Sequence, residues 1–470
     1  MMLDVINPAT EAVICQITED DAKRVDTVVR LARAAFEDWR ATSIPERQAT
    51  LRKVANVIRA HANELAELET QNTGILLKDA KDRYLVRTAA NFDFFADYIG
   101  QSSGQVFEQH PTYVTTVRRE AIGVAGLIAP WNLPLALGSM KIAAAIAFGN
   151  ACVIKPSEIA PLAVIRLVEI ISEVLPKGLV GIVNGRGHIT GSALVDHDLV
   201  DLISFTGGTE TGQRIAAAAG AKLKPVTMEL GGKSANIIFD SADLDRALDA
   251  ALVSIYANNG QQCLAGSRIL IHDTIADRFI AAFVERARKI CIGSPLDPLT
   301  QLGPVATAAQ RDRMLTFFEE AVAQGALPLV GGQRAAGLDR GYFVEPLAVE
   351  APSNDLGVCQ EEIFGPFAVF IRFKDAEEAF KLANGTRFGL ASYVWTQNLA
   401  LAMEAQERLE AGVVWINTPV VREMRAPFGG YKQSGIGAQG GAACEAFYSR
   451  EKTITLPRRI EGLPIERLGI

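Results

Sequence analysis

Gly123-Val124-Ala125-Gly126-Leu127-Ile128-Ala129-Pro130-Trp131-Asn132-Leu133-Pro134 is a short apolar run closed by a turn between two prolines. A run that short, ended by Pro, reads as a buried strand rather than a helix. The text that follows keeps the same rhythm. A helix is predicted over 135–148, a strand over 151–154 that Lys155-Pro156 ends, a helix over 162–174 and a strand over 181–184. Another strand over 199–205 runs into Thr206-Gly207-Gly208-Thr209-Glu210-Thr211-Gly212 and an Ala-rich helix, and 226–230 is a further strand. Alternation of this kind predicts an α/β fold with a parallel, doubly wound sheet, whose ligands bind beyond the carboxyl ends of the strands.

Working outward, the N-terminal stretch reads as helical. Val25, Val28, Val29, Ala32, Phe36 and Trp39 share one helical face, and Leu51, Val54, Ala55, Ile58, Ala62 and Leu65 share another in the next segment. A second α/β unit begins near Lys233, with a strand over 234–239, and continues to about Asn417. Residues 112–120 and 452–457 alternate apolar and polar side chains, so they read as two half-exposed strands able to pair into a small arm, followed by a Pro-containing tail to Ile470. The expected division is a cofactor-binding domain over 1–110 and 122–232, a catalytic domain over 233–445, and an arm and tail over 111–121 and 446–470.

Composition narrows the function. The chain has 470 residues, 49% of them apolar, which suits a large core and about three domain-sized units. Its net charge is −7 and it has no dense Lys/Arg tract, which argues against nucleic acid as a partner. No apolar run reaches the roughly 18 residues of a membrane span, and the N-terminus carries no basic region followed by an apolar core. The six cysteines lie far apart without a CxxC pair, and the five histidines stand singly. Neither a disulfide framework nor a metal site is expected, and a reducing, cytoplasmic setting is.

The chemistry concentrates in a few motifs. Cys263 ends the run Asn259-Gly260-Gln261-Gln262-Cys263, where small and polar neighbours place a thiol to approach a substrate. In Lys155-Pro156-Ser157-Glu158, Lys155 can donate to ribose or phosphate and Glu158 can accept from a ribose 2′-hydroxyl, which disfavours a 2′-phosphate. Taken alone, that pair is equally a solvated Lys and Glu on a loop. Gly207, Gly208 and Gly212 let a backbone approach a pyrophosphate at a helix N-terminus. Gly185-Arg186-Gly187 with Gly191 reads at most as a tight turn near a cofactor. Glu229-Leu230-Gly231-Gly232-Lys233 sets a carboxylate at a strand end, able to take a proton from water if its pKa is raised. Asn132 can stabilise an oxyanion with the Cys263 N–H. Glu361-Glu362-Ile363-Phe364-Gly365-Pro366 offers a carboxylate for a ribose and a ring for a nicotinamide.

In this order and at these spacings, the motifs resemble the NAD(P)-dependent aldehyde dehydrogenase superfamily, from Ile6-Asn7-Pro8-Ala9-Thr10 to Pro427-Phe428-Gly429-Gly430-Tyr431-Lys432-Gln433-Ser434-Gly435. The resemblance implies a Rossmann-like cofactor domain, a catalytic domain and a β arm that adds strands to a neighbouring subunit, giving a homodimer or homotetramer. It makes Cys263 the nucleophile, Asn132 the oxyanion donor and Glu229 the base. Lys155, Glu158 and Glu362 become ribose ligands, with Ser157, Leu230 and Gly231 beside the cofactor. Gly207, Gly208 and Gly212 line the phosphate turn, Trp131 lies near the NAD, and Phe364 packs by its nicotinamide. The implied reaction is addition of the thiolate to the aldehyde, hydride loss to NAD, and hydrolysis of the thioester by water that Glu229 activates. Gly208 departs from the family, many members of which carry Ser there, so one side-chain contact to phosphate is expected to be missing.

Arg422-Glu423-Met424-Arg425-Ala426-Pro427-Phe428 is similar to the corresponding stretch of hydroxymuconic semialdehyde dehydrogenases of aromatic catabolism. Arg422 and Arg425 there, with Arg83 and Arg87 upstream, are candidates to bind a substrate carboxylate, or equally to pair with surface acids. Leu133, Met140, Leu264 and Phe428 complete the expected pocket. The alternatives are oxidation of an uncharged aromatic or aliphatic aldehyde, a CoA-acylating enzyme, which needs no water-activating Glu229, and a non-catalytic ligand-binding protein on the same fold. A cysteine hydrolase lacks its His partner.

Overall fold

Val124–Ile128 is buried along its whole length, at the centre of the sheet its sequence announces. In the computed structural model, which describes residues 1–418 and 420–458, six strands lie in the order Gly435–Ile436, Val226–Glu229, Leu202–Thr206, Val124–Ile128, Ala151–Lys155, Val180–Ile182. All run parallel except Gly435–Ile436, which pairs antiparallel with the edge of Val226–Glu229. Burial on both faces is why these strands read as unbroken apolar runs. The chain moves from Val124–Ile128 outward to one side, then returns to Leu202–Thr206 on the other. That reversal opens a crevice at the carboxyl ends of the central strands.

A second sheet has the order Leu327–Val330, Leu347–Glu350, Phe367–Phe373, Arg268–His272, Ala235–Ile238, Ala391–Trp395, Val413–Ile416, antiparallel only at its first pair. Separate apolar cores cover its two faces, one around Phe367, Phe373 and Phe380, the other around Phe279, Phe283 and Phe370. The largest core belongs to the first sheet and its helices. The two alternating segments pair as Tyr113–Ala121 and Ser449–Pro457, in antiparallel register from Ser449 opposite Ala121 to Pro457 opposite Tyr113. A third strand, Gln105–Phe107, joins them; it is short and wholly exposed, so no pattern marks it in the sequence. The tail beyond 458 lies outside the described residues.

Two readings of the N-terminal part are corrected. The chain begins with an antiparallel hairpin, Met2–Ile6 with Val13–Thr18, before the helix Ala22–Trp39 starts at an Asp21 cap. The stripe from Leu51 to Leu65 is also two helices, Ile44–Ala60 and Ala62–Thr73, broken at His61, whose φ of −106° and ψ of 17° leave the helical region. Leu65 continues the apolar face across the break, which is why periodicity alone does not show it.

Candidate functional site

Three consecutive left-handed residues lead into Cys263: Asn258 (φ 51°), Asn259 (φ 54°) and Gly260 (φ 70°). Asn tolerates that conformation because its short side chain bonds locally, and here each amide is tied down. Asn258 Nδ2 donates to the Gln261 carbonyl at 3.1 Å and to the Asn132 carbonyl at 3.2 Å. Asn259 Nδ2 donates to the Gly74 and Pro304 carbonyls, both at 2.9 Å, while its Oδ1 accepts the Gly303 N–H at 2.7 Å. At Gly260 a Cβ would lie 2.1 Å from the Gly365 carbonyl carbon, so the cysteine loop and the 361–366 loop can pack only through a glycine. Asn132 is buried, and its Nδ2 donates to the Gln261 carbonyl at 2.9 Å, leaving its second N–H for another acceptor.

Glu229 ends its strand, buried, with neither carboxylate oxygen hydrogen-bonded. Burial pushes its pKa up to about 8, against the opposing pull of Lys141 and Arg422. Lys141 is itself buried; its Nζ donates to Ser204 Oγ at 2.8 Å, and burial pushes it down to about 8. The Cys263 thiol stands at about 12, raised by burial and then by the carboxylates of Glu362 and Glu229. Both carboxylates act on the sulfur through space. Neutralising either one, or bringing a cation beside the sulfur, lowers it.

A cavity of about 680 Å³ runs along the carboxyl ends of the first sheet. Cys263, Asn132 and Glu229 line it, together with Trp131, Lys155, Ser157, Glu158, Gly207, Gly208, Leu230, Gly231, Glu362 and Phe364. Lys155 is buried, with its Nζ 3.3 Å from Glu158 Oε2, and burial lowers its pKa. Gly208 stands at the N-cap of helix Thr209–Ala221, which has no side-chain cap, so the first-turn N–H groups face the cavity unsatisfied. A Cβ at Gly208 would meet nothing within 4 Å, and the side-chain oxygens of Thr206 and Thr209 are buried without partners. An anion bound at that turn would accept from the helix N–H groups. Gly212 stays outside the cavity lining and serves packing, since a Cβ there would press on Leu230. A Cβ at Gly231 would lie 2.4 Å from Glu362 Oε2, and Glu362 Oε1 accepts the Gly232 N–H at 3.0 Å. Trp131 and Phe364 meet edge to face at 5.2 Å, with Phe364 itself left-handed at φ 64°.

Sequence reading missed part of this lining. Gly187 and Gly191, set aside as a turn, line the cavity. Gln310 and Arg313 do so from helix Ala308–Ala323, with Gln310 Nε2 donating to the Phe364 carbonyl at 2.8 Å and Arg313 to the Glu362 carbonyl at 2.9 Å. That helix is an ordinary amphipathic segment, and nothing local in it signals the contact.

The expected substrate residues divide. Arg87 and Arg422 are half-buried, and Nε and Nη2 of each have no hydrogen-bond partner. Burial lowers both guanidinium pKa values, Arg87 to about 10, each guanidinium acts on the Cys263 thiol, and Arg422 also acts on Glu229. Arg422 lies 4.8 Å over the Phe428 ring. Arg425 is exposed instead, and Glu423 holds it at 2.9 Å through Nη2, while its own N–H reaches the same carboxylate. Arg83 is exposed beside the Tyr84 ring. Arg83 lies in the π-helical turn Ala80–Leu85, while Arg87 is in the α-helix Val86–Tyr98 that follows. Leu133 is buried at the N-cap of helix Pro134–Ala147, and Leu264 is half-buried beside the nucleophile candidate. Met140 is buried facing a small void with Lys141, Ser204, Gln439 and Cys444, away from the main cavity.

A cavity of this size, at the topological switch of a parallel sheet and floored by free helix N–H groups, takes a dinucleotide, which makes the molecule a dinucleotide-dependent oxidoreductase. The aldehyde dehydrogenase family model matches residues 1–454, and the chain belongs to that family. It is 40% identical over 453 residues to a betaine aldehyde dehydrogenase of Brucella anthropi, covering 96% of this chain and 93% of that one. HpcC from Thermus thermophilus superposes with a TM-score of 0.97 at 40% identity, covering 100% of this chain and 92% of the other. The NAD+ complex of an aldehyde dehydrogenase from Bacillus cereus superposes at 0.95 with 36% identity, over 98% and 94% of the two chains. The protein is thus an NAD-dependent enzyme that oxidises small aldehydes. No helix among the described residues is long and apolar enough to cross a membrane.

Proposed function

We propose that the chain oxidises an aldehyde bearing a carboxylate, a semialdehyde of aromatic catabolism, through a thioester on Cys263. The observation that carries this reading is the pair Arg87 and Arg422, whose guanidinium nitrogens lack partners in a region that acts on the thiol. Leaving Nε and Nη2 of each guanidinium buried without a hydrogen-bond acceptor is costly, and a substrate carboxylate relieves that cost with charge-assisted hydrogen bonds. The same pair repels a cationic aldehyde of the betaine type.

Cys263 Sγ, its proton passed to solvent as the thiolate forms, adds to the carbonyl carbon, and the carbonyl electron pair moves onto the oxygen. Asn132 Nδ2, through its spare N–H, and the Cys263 N–H hold the developing oxyanion. When bound, NAD supplies the hydride acceptor; Lys155, Glu158 and Glu362 hold its riboses and the Gly207-Gly208 turn its phosphates. Glu229, unpaired and with a raised pKa, takes a proton from water, which releases the acid and restores the thiolate. The unpaired outer edge of Ser449–Pro457, with Leu456 exposed, suits pairing with a neighbouring subunit, which gives a homodimer or homotetramer. The free cysteines suit the cytoplasm.

The test compares a 2-hydroxymuconate-type semialdehyde with benzaldehyde and betaine aldehyde in wild type, Arg422→Met and Arg87→Met. The variants are expected to lose about 100-fold in kcat/KM for the carboxylated substrate, about 2.7 kcal/mol, and less than about threefold for benzaldehyde. A uniform loss on every aldehyde, or a wild-type preference for betaine aldehyde, refutes the carboxylate reading.

A further inference from the structure

Helix Ala62–Thr73 carries a run of buried polar residues that the reaction does not use: Glu69, Thr70, Asn72 and Thr73, each 1% exposed or less. A helix buried that deeply normally meets its neighbours with apolar side chains, because a buried polar group left unpaired costs about 1–3 kcal/mol. Glu69 and Asn72 reach the segments that build the site, while Thr73 bonds back to the Glu69 carbonyl and Thr70 Oγ1 has no partner. Glu69 Oε1 accepts the Leu135 N–H at 3.0 Å. Leu135 is in the first turn of helix Pro134–Ala147, directly after Asn132 and Leu133, and the N-cap residue there offers no side-chain cap of its own. Asn72 Nδ2 donates to the Ile159 carbonyl at 3.1 Å and its Oδ1 accepts the Leu162 N–H at 3.2 Å, holding the chain directly after Lys155, Ser157 and Glu158. The carbonyl of Gly74, the left-handed residue that ends the helix, accepts Asn259 Nδ2 in the cysteine loop at 2.9 Å. Gly74 is required there: a Cβ would lie 2.7 Å from the Pro304 oxygen.

We infer that Glu69-Thr70-Gln71-Asn72-Thr73-Gly74 is a positioning hub that sets the oxyanion turn, the ribose loop and the cysteine loop against one another, with Glu69 the positioning residue for Asn132 and Asn72 the positioning residue for the Lys155–Glu158 loop. The Glu69 and Asn72 bonds are made to backbone, so they fix where those segments run, while the cysteine loop is held through the Asn259 side chain. Three loops from distant parts of the sequence share one rigid element, and an error in any of them moves a reacting group relative to the others. A misplacement of about 1 Å in such a constellation costs about 100-fold. The inference rests on the reading of Asn132 and Cys263 given above.

The two arms of the hub give separable signatures. Burial pushes the Glu69 carboxyl up to about 7, so Gln, isosteric with the neutral acid and still an acceptor for the Leu135 N–H, is the conservative variant. Glu69→Ala is expected to lower kcat at least tenfold with the Kd for NAD, read by fluorescence titration, within twofold of wild type. Glu69→Gln is expected to restore kcat to within threefold. Asn72→Asp, which keeps the acceptor and loses the donor, is expected to raise the Kd for NAD at least fivefold while kcat at saturating NAD stays within twofold. If Glu69→Ala does not fold, Glu69→Gln and Asn72→Asp carry the test on their own, since a purely structural hub gives kcat and NAD affinity that fall together in both. That parallel loss, an unchanged kcat in folded Glu69→Ala, or an unchanged Kd in Asn72→Asp overturns the inference. Asn132→Ala is measured beside them. If it too keeps full turnover, the oxyanion reading has failed; if it is impaired while Glu69→Ala is not, only the hub has.

Discussion

Glu229 keeps a carboxyl in a place where nothing hydrogen-bonds it. Its folded pKa of about 8 lies above that of an exposed carboxyl. Between the two values the unfolded chain has released its proton while the folded chain still holds it. The residue therefore costs stability increasingly as pH rises towards 8, and the full cost stands above it. Glu229→Gln is expected to leave the Tm unchanged at pH 5 and raise it at pH 9, by scanning calorimetry, and an equal shift at both pH values contradicts the burial argument. The acid-release step is expected to rise with pH through about 8 in wild type and to be slow and flat in the variant, by stopped-flow. Glu158 lines the cavity beside Lys155, at 3.3 Å from its Nζ. Glu158→Gln is expected to shift the NADP to NAD ratio of kcat/KM by at least about tenfold, roughly 1.4 kcal/mol, towards NADP. At this scale the sequence is most legible where a residue stands at a strand end, as Glu229 and Lys155 do, or in a Pro-bounded turn just beyond one, as Asn132 does. It is least legible where a neighbour decides, as when Glu423 captures Arg425 from two residues away.

Among the elements, the cysteine loop is the most constrained. Gly260 was visible as a glycine, but the left-handed Asn258 and Asn259 before it were not, because their conformation is imposed by partners at Gly74, Gly303 and Pro304. Gly260→Ala must both hold a positive φ and displace the 361–366 loop. It is expected to lower stability by more than about 1 kcal/mol and turnover by at least tenfold, measured by denaturant unfolding and NADH formation; a fully active, equally stable variant contradicts the packing described. In the first sheet Val124–Ile128, Ala151–Lys155 and Val226–Glu229 were legible to within about a residue, since their burial writes itself as apolar runs, whereas in the second sheet only Ala235–Ile238 was placed and the rest was read as alternation alone. The break at His61, the π-helical turn over Ala80–Leu85 and the approach of helix Ala308–Ala323 to the cavity were not, because each depends on packing against segments remote in sequence.

At the scale of the molecule, two sheets with separate cores meet at one cavity, and the hub helix ties the loops of that meeting together. The strands of the arm are half-buried or exposed along nearly their whole length. Ile454→Pro, in the edge strand of the arm, is expected to shift the molar mass in solution to that of a smaller species, by light scattering, while the absorbance change of NAD reduction persists; an unchanged mass rules the arm out as the subunit contact. The whole architecture serves one event, the bonding of a carbonyl carbon to the Cys263 sulfur. The most direct test is mass spectrometry of Glu229→Gln quenched after mixing with NAD and an aldehyde. The expected result is a stoichiometric acyl adduct on the peptide that contains Cys263, formed together with one equivalent of NADH. NADH formed without that adduct, or an adduct on any of the other cysteines in its place, contradicts it.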